Sequence, residues 1–229
     1  MRPVSWPDPL PAGIEVHRLD LDLDADVSAE RQLLALAERA QADRYARSAD
    51  RVRFTATRAA LRGLLARRVG CQPADVRFAT GPHRKPFLDV AGGDAPLFNV
   101  SHSGAHALIA LADPRVVSAV GIDIEACRSD VDAEAVASLA FTGSERRALQ
   151  EAGDPLQALY SRWVGKEAVL KAVGVGVAEH FQSIGIHPGA QGRYVLECAV
   201  PEWSGLHAVA LDAPTGYAAA LAWRAKEST

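Results

Sequence analysis

The stretch Val120-Gly-Ile-Asp-Ile-Glu125 alternates apolar and acidic residues with a period of two. As a strand it sends Ile122 and Ile124 to one face and Asp123 and Glu125 to the other. The isoleucine face asks for a core behind it. The acidic face is less comfortable, because two neighbouring carboxylates repel and one takes up a proton unless a cation compensates. Two or three carboxylates with open water positions suit Mg²⁺ shared with a phosphate-bearing substrate. An exposed strand end with two solvated acids fits the same six residues, so this stretch alone leaves both readings open.

Working outward, residues 14–23 alternate as a half-buried strand. Ser28 reads as the N-cap of a helix beginning AERQLLALAERA. A second helix over about 50–69 places Phe54, Leu61, Leu64, Leu65 and Val69 on one face and ends at Gly70. Short strands are expected near 76–79, 86–88, 98–101 and 107–112. The central strand itself covers 117–125. Beyond it, Thr142-Gly-Ser-Glu145 has the form of a capping box, and a long helix runs from about 155 to 173 before Gly174-Val-Gly176. Strands near 184–187, 194–200, 207–212 and 217–223 complete the chain. Helices and short strands occur in both halves, which predicts an α+β fold. No low-complexity linker separates the halves, so two lobes would share an interface.

The 229 residues carry 25 basic and 28 acidic side chains, a net charge of −3. That length buries a full core without disulfides. No apolar run approaches the ~18 residues of a membrane span, and MRPVSWPDPLPAG has no apolar signal-peptide core. Cys71, Cys127 and Cys198 are widely spaced, with no CxxC, so neither a disulfide framework nor a zinc site is expected and a reducing cytoplasm is. The small net charge conceals segregation. Arg44 to Arg68 holds eight arginines and one acid, and Val120 to Leu170 holds nine acids and five bases. A small polyanion explains the basic block better than nucleic acid does. Most of its arginines also read as a solvated helix face.

Lysine occurs only at 85, 166, 171 and 226. In Trp163-Val-Gly-Lys-Glu-Ala-Val-Leu-Lys171-Ala-Val-Gly-Val-Gly176, Glu167 and Lys171 are four apart on one helix face. They form either a surface ion pair or a pair in which Glu167 completes a carboxylate cluster and Lys171 faces a phosphate. Phe98-Asn-Val-Ser-His-Ser-Gly104 ends a strand in a polar turn whose hydroxyls, N–H groups and His102 could face an anion. A structural histidine fits as well. A Ser–His nucleophile does not, because adjacent strand residues point apart and no G-x-S-x-G elbow is present. Pro82-His-Arg-Lys-Pro86 adds a further basic stretch suited to phosphate.

The ordered set FNVSHSG, VGIDIE and WxxKEAxxKxxGxG resembles the 4′-phosphopantetheinyl transferases of the larger, surfactin-synthetase-activating type. The 44 residues from Asp123 to Glu167, with FTxxE at 141–145 between them, fit that family. The resemblance implies two similar α/β half-domains related by a pseudo-twofold axis, here residues 1–116 and 117–229, with the site at their interface. It implies a monomer that is itself a pseudo-dimer, rather than the small trimeric synthases whose sites lie between subunits. The implied activity is transfer of the phosphopantetheine arm of coenzyme A to a serine of an acyl or peptidyl carrier protein, releasing adenosine 3′,5′-bisphosphate. By motif, Asp123, Glu125 and Glu167 would hold Mg²⁺ (or Mn²⁺). Glu167 would serve as base and Lys171 would assist the leaving phosphate. Lys85, Ser101 and His102 would meet coenzyme A phosphates, and Arg44, Arg47 and Arg58 the region of the adenosine 3′-phosphate. A coenzyme A binding module without activity and a Mg²⁺-dependent nucleotide hydrolase are the rival functions. Two positions depart from the family pattern: Arg84 stands where a glycine is common before Lys-Pro, and Val164 where a small hydroxyl residue is common.

Overall fold

The computed structural model describes residues 2–3, 12–90, 95–176 and 180–226. Its first half runs β1 (Arg2–Pro3), β2 (Ile14–Asp20), α1 (Ser28–Gln32), α2 (Leu36–Ala42), α3 (Ser48–Val69), β3 (Phe78–Thr80), β4 (Pro86–Leu88), β5 (Leu97–Ser103) and β6 (His106–Ala112). The second runs β7 (Val117–Ala126), α4 (Ala133–Ala140), α5 (Gly143–Gln150), α6 (Pro155–Val173), β8 (Ile184–Pro188), β9 (Tyr194–Cys198), β10 (Leu206–Ala210) and β11 (Tyr217–Ala225). All strand pairs are antiparallel. One sheet has the order β1-β2-β6-β5 and the other β10-β11-β7, and β3-β4 and β8-β9 are separate hairpins. Helices and sheets are thus mixed as α+β. Each half also repeats one plan of strand, short helices, long helix, hairpin and two strands. Apart from β1, each orders its sheet as first, last and next-to-last strand.

Layering follows from which faces are apolar. Leu61, Leu64 and Leu65 of α3 pack on Phe98, Ile109 and Leu111 of the first sheet. The other face of that sheet, through Val16, Leu108 and Ala110, meets Ile122, Ile124 and Leu221 of the second sheet. Val164, Ala168 and Leu170 of α6 fill the core beyond. The order is helix, sheet, sheet, helix. The period-two reading of the central strand holds: Ile122 and Ile124 lie between the sheets, and the face carrying Asp123 and Glu125 turns to α6.

Gly121 sets how closely β7 approaches α6. A Cβ at that position would fall 2.1 Å from the carbonyl oxygen of Ala168 and 2.3 Å from the amide nitrogen of Ala172. Only glycine permits that contact, and it brings the acids of β7 within reach of Glu167 and Lys171. The long helix starts as expected, with Asp154 accepting from the amide of Gln157 (3.0 Å) and Pro155 in the first turn. It stops at Gly174, whose φ of +83° closes the last turn.

Two expectations fail in the first half. Ser28 does not cap a helix. Its amide and hydroxyl both bond the Asp26 carboxylate, and Val27 holds the N-cap position. The helix expected from residue 29 onward breaks after Gln32 because side chains satisfy the main chain inside the gap. Arg39 donates to the carbonyls of Leu34 (2.9 Å) and Gln32 (2.9 Å), and Glu38 accepts from the amide of Ala35 (3.0 Å).

Candidate active site

The edge strands β5 and β7 meet where the two sheets abut, and side chains replace main-chain pairing there. Asn99 Oδ1 accepts from the amide of Ile122 (2.9 Å), Ser101 Oγ donates to Asp123 Oδ1 (2.7 Å), and Ser103 Oγ donates to Glu125 Oε2 (2.8 Å). Ser103 Oγ also accepts from the amide of Ala126 (3.1 Å). Residues 99, 101 and 103 share one face of β5, so the alternation that arranges the acids is matched by an alternation that holds them. Tyr217 of β11 extends the seam, its hydroxyl accepting from the amide of Ala105 (3.2 Å). Asn99, Ser103 and Tyr217 carried no assigned role in the sequence. Only the quoted FNVSHSG run signalled the first two.

Glu167 and Lys171 come to this seam from α6. Lys171 Nζ lies 2.5 Å from Asp123 Oδ1 and 3.4 Å from Glu167 Oε2, and donates to Ser101 Oγ at 3.2 Å. One carboxylate oxygen from each of Asp123, Glu125 and Glu167 lies within 4.8 Å of the others. The surface ion pair is therefore excluded, since side-chain exposure is 22% for Lys171, 16% for Glu167 and 1% for Asp123.

Burial pushes the Glu167 carboxyl up to about 7, with Asp123 and Glu125 adding repulsion and Lys171 opposing them. Burial, then Asp123, also raises Glu125. Burial alone would lower the Lys171 ammonium, but Asp123 and Glu167 together hold it above its usual value. Three acids and one cation leave negative charge uncompensated. Moreover, Asp123 Oδ2 is buried with no hydrogen-bond partner. A buried carboxylate oxygen with no donor is costly, and a hard divalent cation supplies what it lacks. The donor set fits Mg²⁺ or Mn²⁺.

A cavity of about 390 Å³ opens onto this cluster, lined by Phe54, Arg58, Phe98, Ser101, His102, Glu125 and Lys171 among others. Loss of hydration lowers the His102 imidazole, and Arg53 and Lys171 lower it further. Arg58 lies 3.6 Å from Glu38 and over the rings of Phe54 and Phe78. Its neighbour Arg62 is buried on Glu38 Oε2 (2.5 Å) and the carbonyls of Pro73 and Val76. Arg53 pairs with Asp50 at 2.6 Å and Arg68 with Glu15. Four of the eight block arginines are thus matched by acids: Arg58, Arg62 and Arg68 by Glu38 and Glu15 from outside the block, and Arg53 by Asp50 within it. Arg44 and Arg47 are exposed and do not line the cavity; Arg44 borders a shallow groove with Gln41 and Tyr45.

Lys85, expected at a coenzyme A phosphate, has its ammonium on main-chain carbonyls. Its Nζ donates to the carbonyls of Lys171 (2.6 Å), Ala172 (3.0 Å) and Val120 (3.1 Å). An ammonium has three hydrogens, and all three are engaged. Burial lowers its pKa to about 8. The preceding residues, His83 and Arg84, have φ of +54° and +63°. That explains why a glycine suits position 84 and makes arginine there strained. Arg84→Gly is expected to raise stability by about 0.5–1 kcal/mol, a Tm increase of roughly 1–4 °C by calorimetry. A lower Tm would show that the left-handed turn costs nothing here. The second departure, Val164, is fully buried in the α6 core and does not line the cavity.

The comparisons with known proteins agree with the geometry. Residues 119–222 match the family model of the 4′-phosphopantetheinyl transferase superfamily, and residues 23–114 that of a 4′-phosphopantetheinyl transferase N-terminal region. A putative 4′-phosphopantetheinyl transferase, slr0495 of a Synechocystis species, is 36% identical over 148 residues, which are 64% of this chain and 59% of that relative's length. The 4′-phosphopantetheinyl transferase HetI of a Nostoc species is 36% identical over 205 residues, covering 86% of this chain and 84% of the relative. Among solved structures, holo-[acyl-carrier-protein] synthase from Neisseria meningitidis aligns with 48% of this chain and 99% of its own at 25% identity, with a TM-score of 0.42. Both halves match in order and one relative aligns over most of its length, so the chain belongs to the 4′-phosphopantetheinyl transferase superfamily, in its larger, surfactin-synthetase-activating type.

Proposed function

We propose that the protein transfers the 4′-phosphopantetheine arm of coenzyme A to a serine hydroxyl of an acyl or peptidyl carrier protein, releasing adenosine 3′,5′-bisphosphate. The observation that carries this reading is the cluster of Asp123, Glu125, Glu167 and Lys171 at the cavity, with Asp123 Oδ2 lacking a donor. Asp123, Glu125 and Glu167 would hold Mg²⁺, or Mn²⁺ in its place, and the ion when bound neutralises charge on the pyrophosphate. Arg58 and His102, which line the cavity, are suited to coenzyme A phosphates. The carrier serine oxygen attacks the phosphorus that bears the pantetheine. An oxygen–phosphorus bond forms as the bond to the bisphosphate breaks. Glu167, which lies beside Asp123 and Glu125, takes the serine proton. Lys171 offsets charge on the departing phosphate.

Residues 1–116 and 117–229 act as two lobes under this reading, related by a pseudo-twofold axis that the repeated sheet order supports. A single chain then holds a whole site and functions as a monomer. Three free cysteines suit a cytoplasmic setting, and no described helix is long and apolar enough to cross a membrane.

Intact-mass analysis of a panel of apo carriers incubated with the protein, coenzyme A and Mg²⁺ tests the activity. The expected result is one phosphopantetheine per carrier, abolished by chelation and restored by Mg²⁺. Coenzyme A breakdown without any carrier would favour a hydrolase, and binding without transfer an inactive module. Asp123→Asn is expected to raise the Mg²⁺ concentration at half-maximal rate at least tenfold. An unchanged titration curve would remove Asp123 from the ligand set.

A further inference from the structure

The three carbonyls that receive Lys85 lie on the two elements that carry the reactive cluster. Val120 precedes Asp123 on β7, and Lys171 and Ala172 close α6. Carbonyls in the last turn of a helix have no partner within it and carry the negative end of its dipole. A lysine from the same helix commonly fills that role. Here the cation arrives from the other half of the chain, on the strand-entry segment before β4. Its stem lies on Gly174, where a Cβ would fall 3.1 Å from Lys85 Cδ. The same residue 171 is thereby held at both ends: its carbonyl by Lys85, and its ammonium by Asp123 and Ser101.

We infer that Lys85 is a positioning residue: it latches the first half onto the carboxy end of α6 and the start of β7, and so fixes where Lys171 stands relative to Asp123. The inference rests on the transferase reading for its kinetic consequence, but not for its structural one. It separates Lys85 from Arg58 and His102, which face the cavity instead of the helix end. A latch acts on the geometry of the reacting groups, so its loss slows turnover without weakening coenzyme A. A phosphate ligand does the reverse.

Lys85→Met keeps the stem and removes the donors. We expect kcat to fall at least tenfold, with the Kd for coenzyme A by calorimetry within threefold of wild type. Amide exchange in the last turn of α6 should rise at least tenfold, with the first half of that helix unchanged. The exchange result stands whether or not wild type transfers phosphopantetheine, so failure of the activity and failure of the latch are distinguishable. A tenfold weaker Kd with unchanged exchange would overturn the inference, as would unchanged kcat. If Lys85→Met does not fold, acetylation footprinting of the wild-type protein decides. Only four lysines are present, and the rate at Lys85 should stay within twofold on saturation with coenzyme A. Protection of Lys85 by tenfold or more would make it a ligand contact.

Discussion

Glu167→Gln is expected to lower kcat by about 10³-fold and, without metal, to make the protein more stable at pH 8.5. Under the proposed reaction the kinetic loss follows from removing the group that takes the serine proton, an effect on the order of 10²–10⁴, together with an oxygen that would hold the metal. The stability gain follows from the crowding of the same group. The folded-state value of about 7 lies above the ordinary 4.5, raised by burial first and then by Asp123. The folded chain therefore holds a proton there that the unfolded chain releases between about pH 4.5 and 7. Stability from this group is complete below 4.5 and is lost as pH rises through 7. Glutamine has no such penalty, so urea unfolding with chelator present should favour the variant by up to about 3 kcal/mol at pH 8.5. The gap should close near pH 4.5. A variant that is less stable at pH 8.5 would mean that Glu167 is not strained by its neighbours. Mg²⁺ should reverse the order, since under the proposed ligand set it binds the chain with all three carboxylates more tightly than the variant with two.

The site was legible where its logic is local. Period two in β7 placed Asp123 with Glu125, and four-residue spacing placed Glu167 with Lys171. Only the order of three motifs joined these pairs across 44 residues. Contacts that depend on packing one half against the other left no local trace. Ser103 reads as a turn residue until β5 lies beside β7. That Lys85 meets the end of α6 is likewise invisible along the chain, because a basic residue near a proline looks alike whether it faces an anion or a row of carbonyls. The arginine block misleads for a related reason. Its excess charge looks free along the chain, yet Glu38 and Glu15, from outside it, pair with Arg58, Arg62 and Arg68. Composition counts charges, whereas the fold decides which of them remain available.

Lys166 carries the second large expectation, on stability. It precedes Glu167 on α6, yet it is fully buried, as is its partner Glu145 at 2.8 Å. Its ammonium also donates to the carbonyls of Phe181 (2.7 Å) and Ile184. Glu145 in turn accepts from the amide and hydroxyl of Thr142 (2.7 and 2.9 Å) and from the amide of Ile186 (2.8 Å). The capping box read from the sequence at 142–145 is therefore only one side of a network that joins α5, α6 and β8. Lys166→Met would leave a buried carboxylate without its cation and two carbonyls without a donor, at a cost of about 3–5 kcal/mol in urea unfolding. A loss below 1 kcal/mol would show that the pair is not buried as described. Adding Glu145→Gln removes the stranded charge and should recover part of the loss, because a buried pair often contributes little beyond an uncharged replacement. Activity should not return with it. Successive helical residues project about 100° apart, so anchoring Lys166 in the core helps turn Glu167 toward Asp123 and Glu125. In the double variant the charged anchor on the core side of α6 is gone, leaving only the contacts of Lys171 and Lys85 at its end, and kcat should stay at least tenfold down although the fold is regained. Full recovery of both would reduce the pair to a packing element.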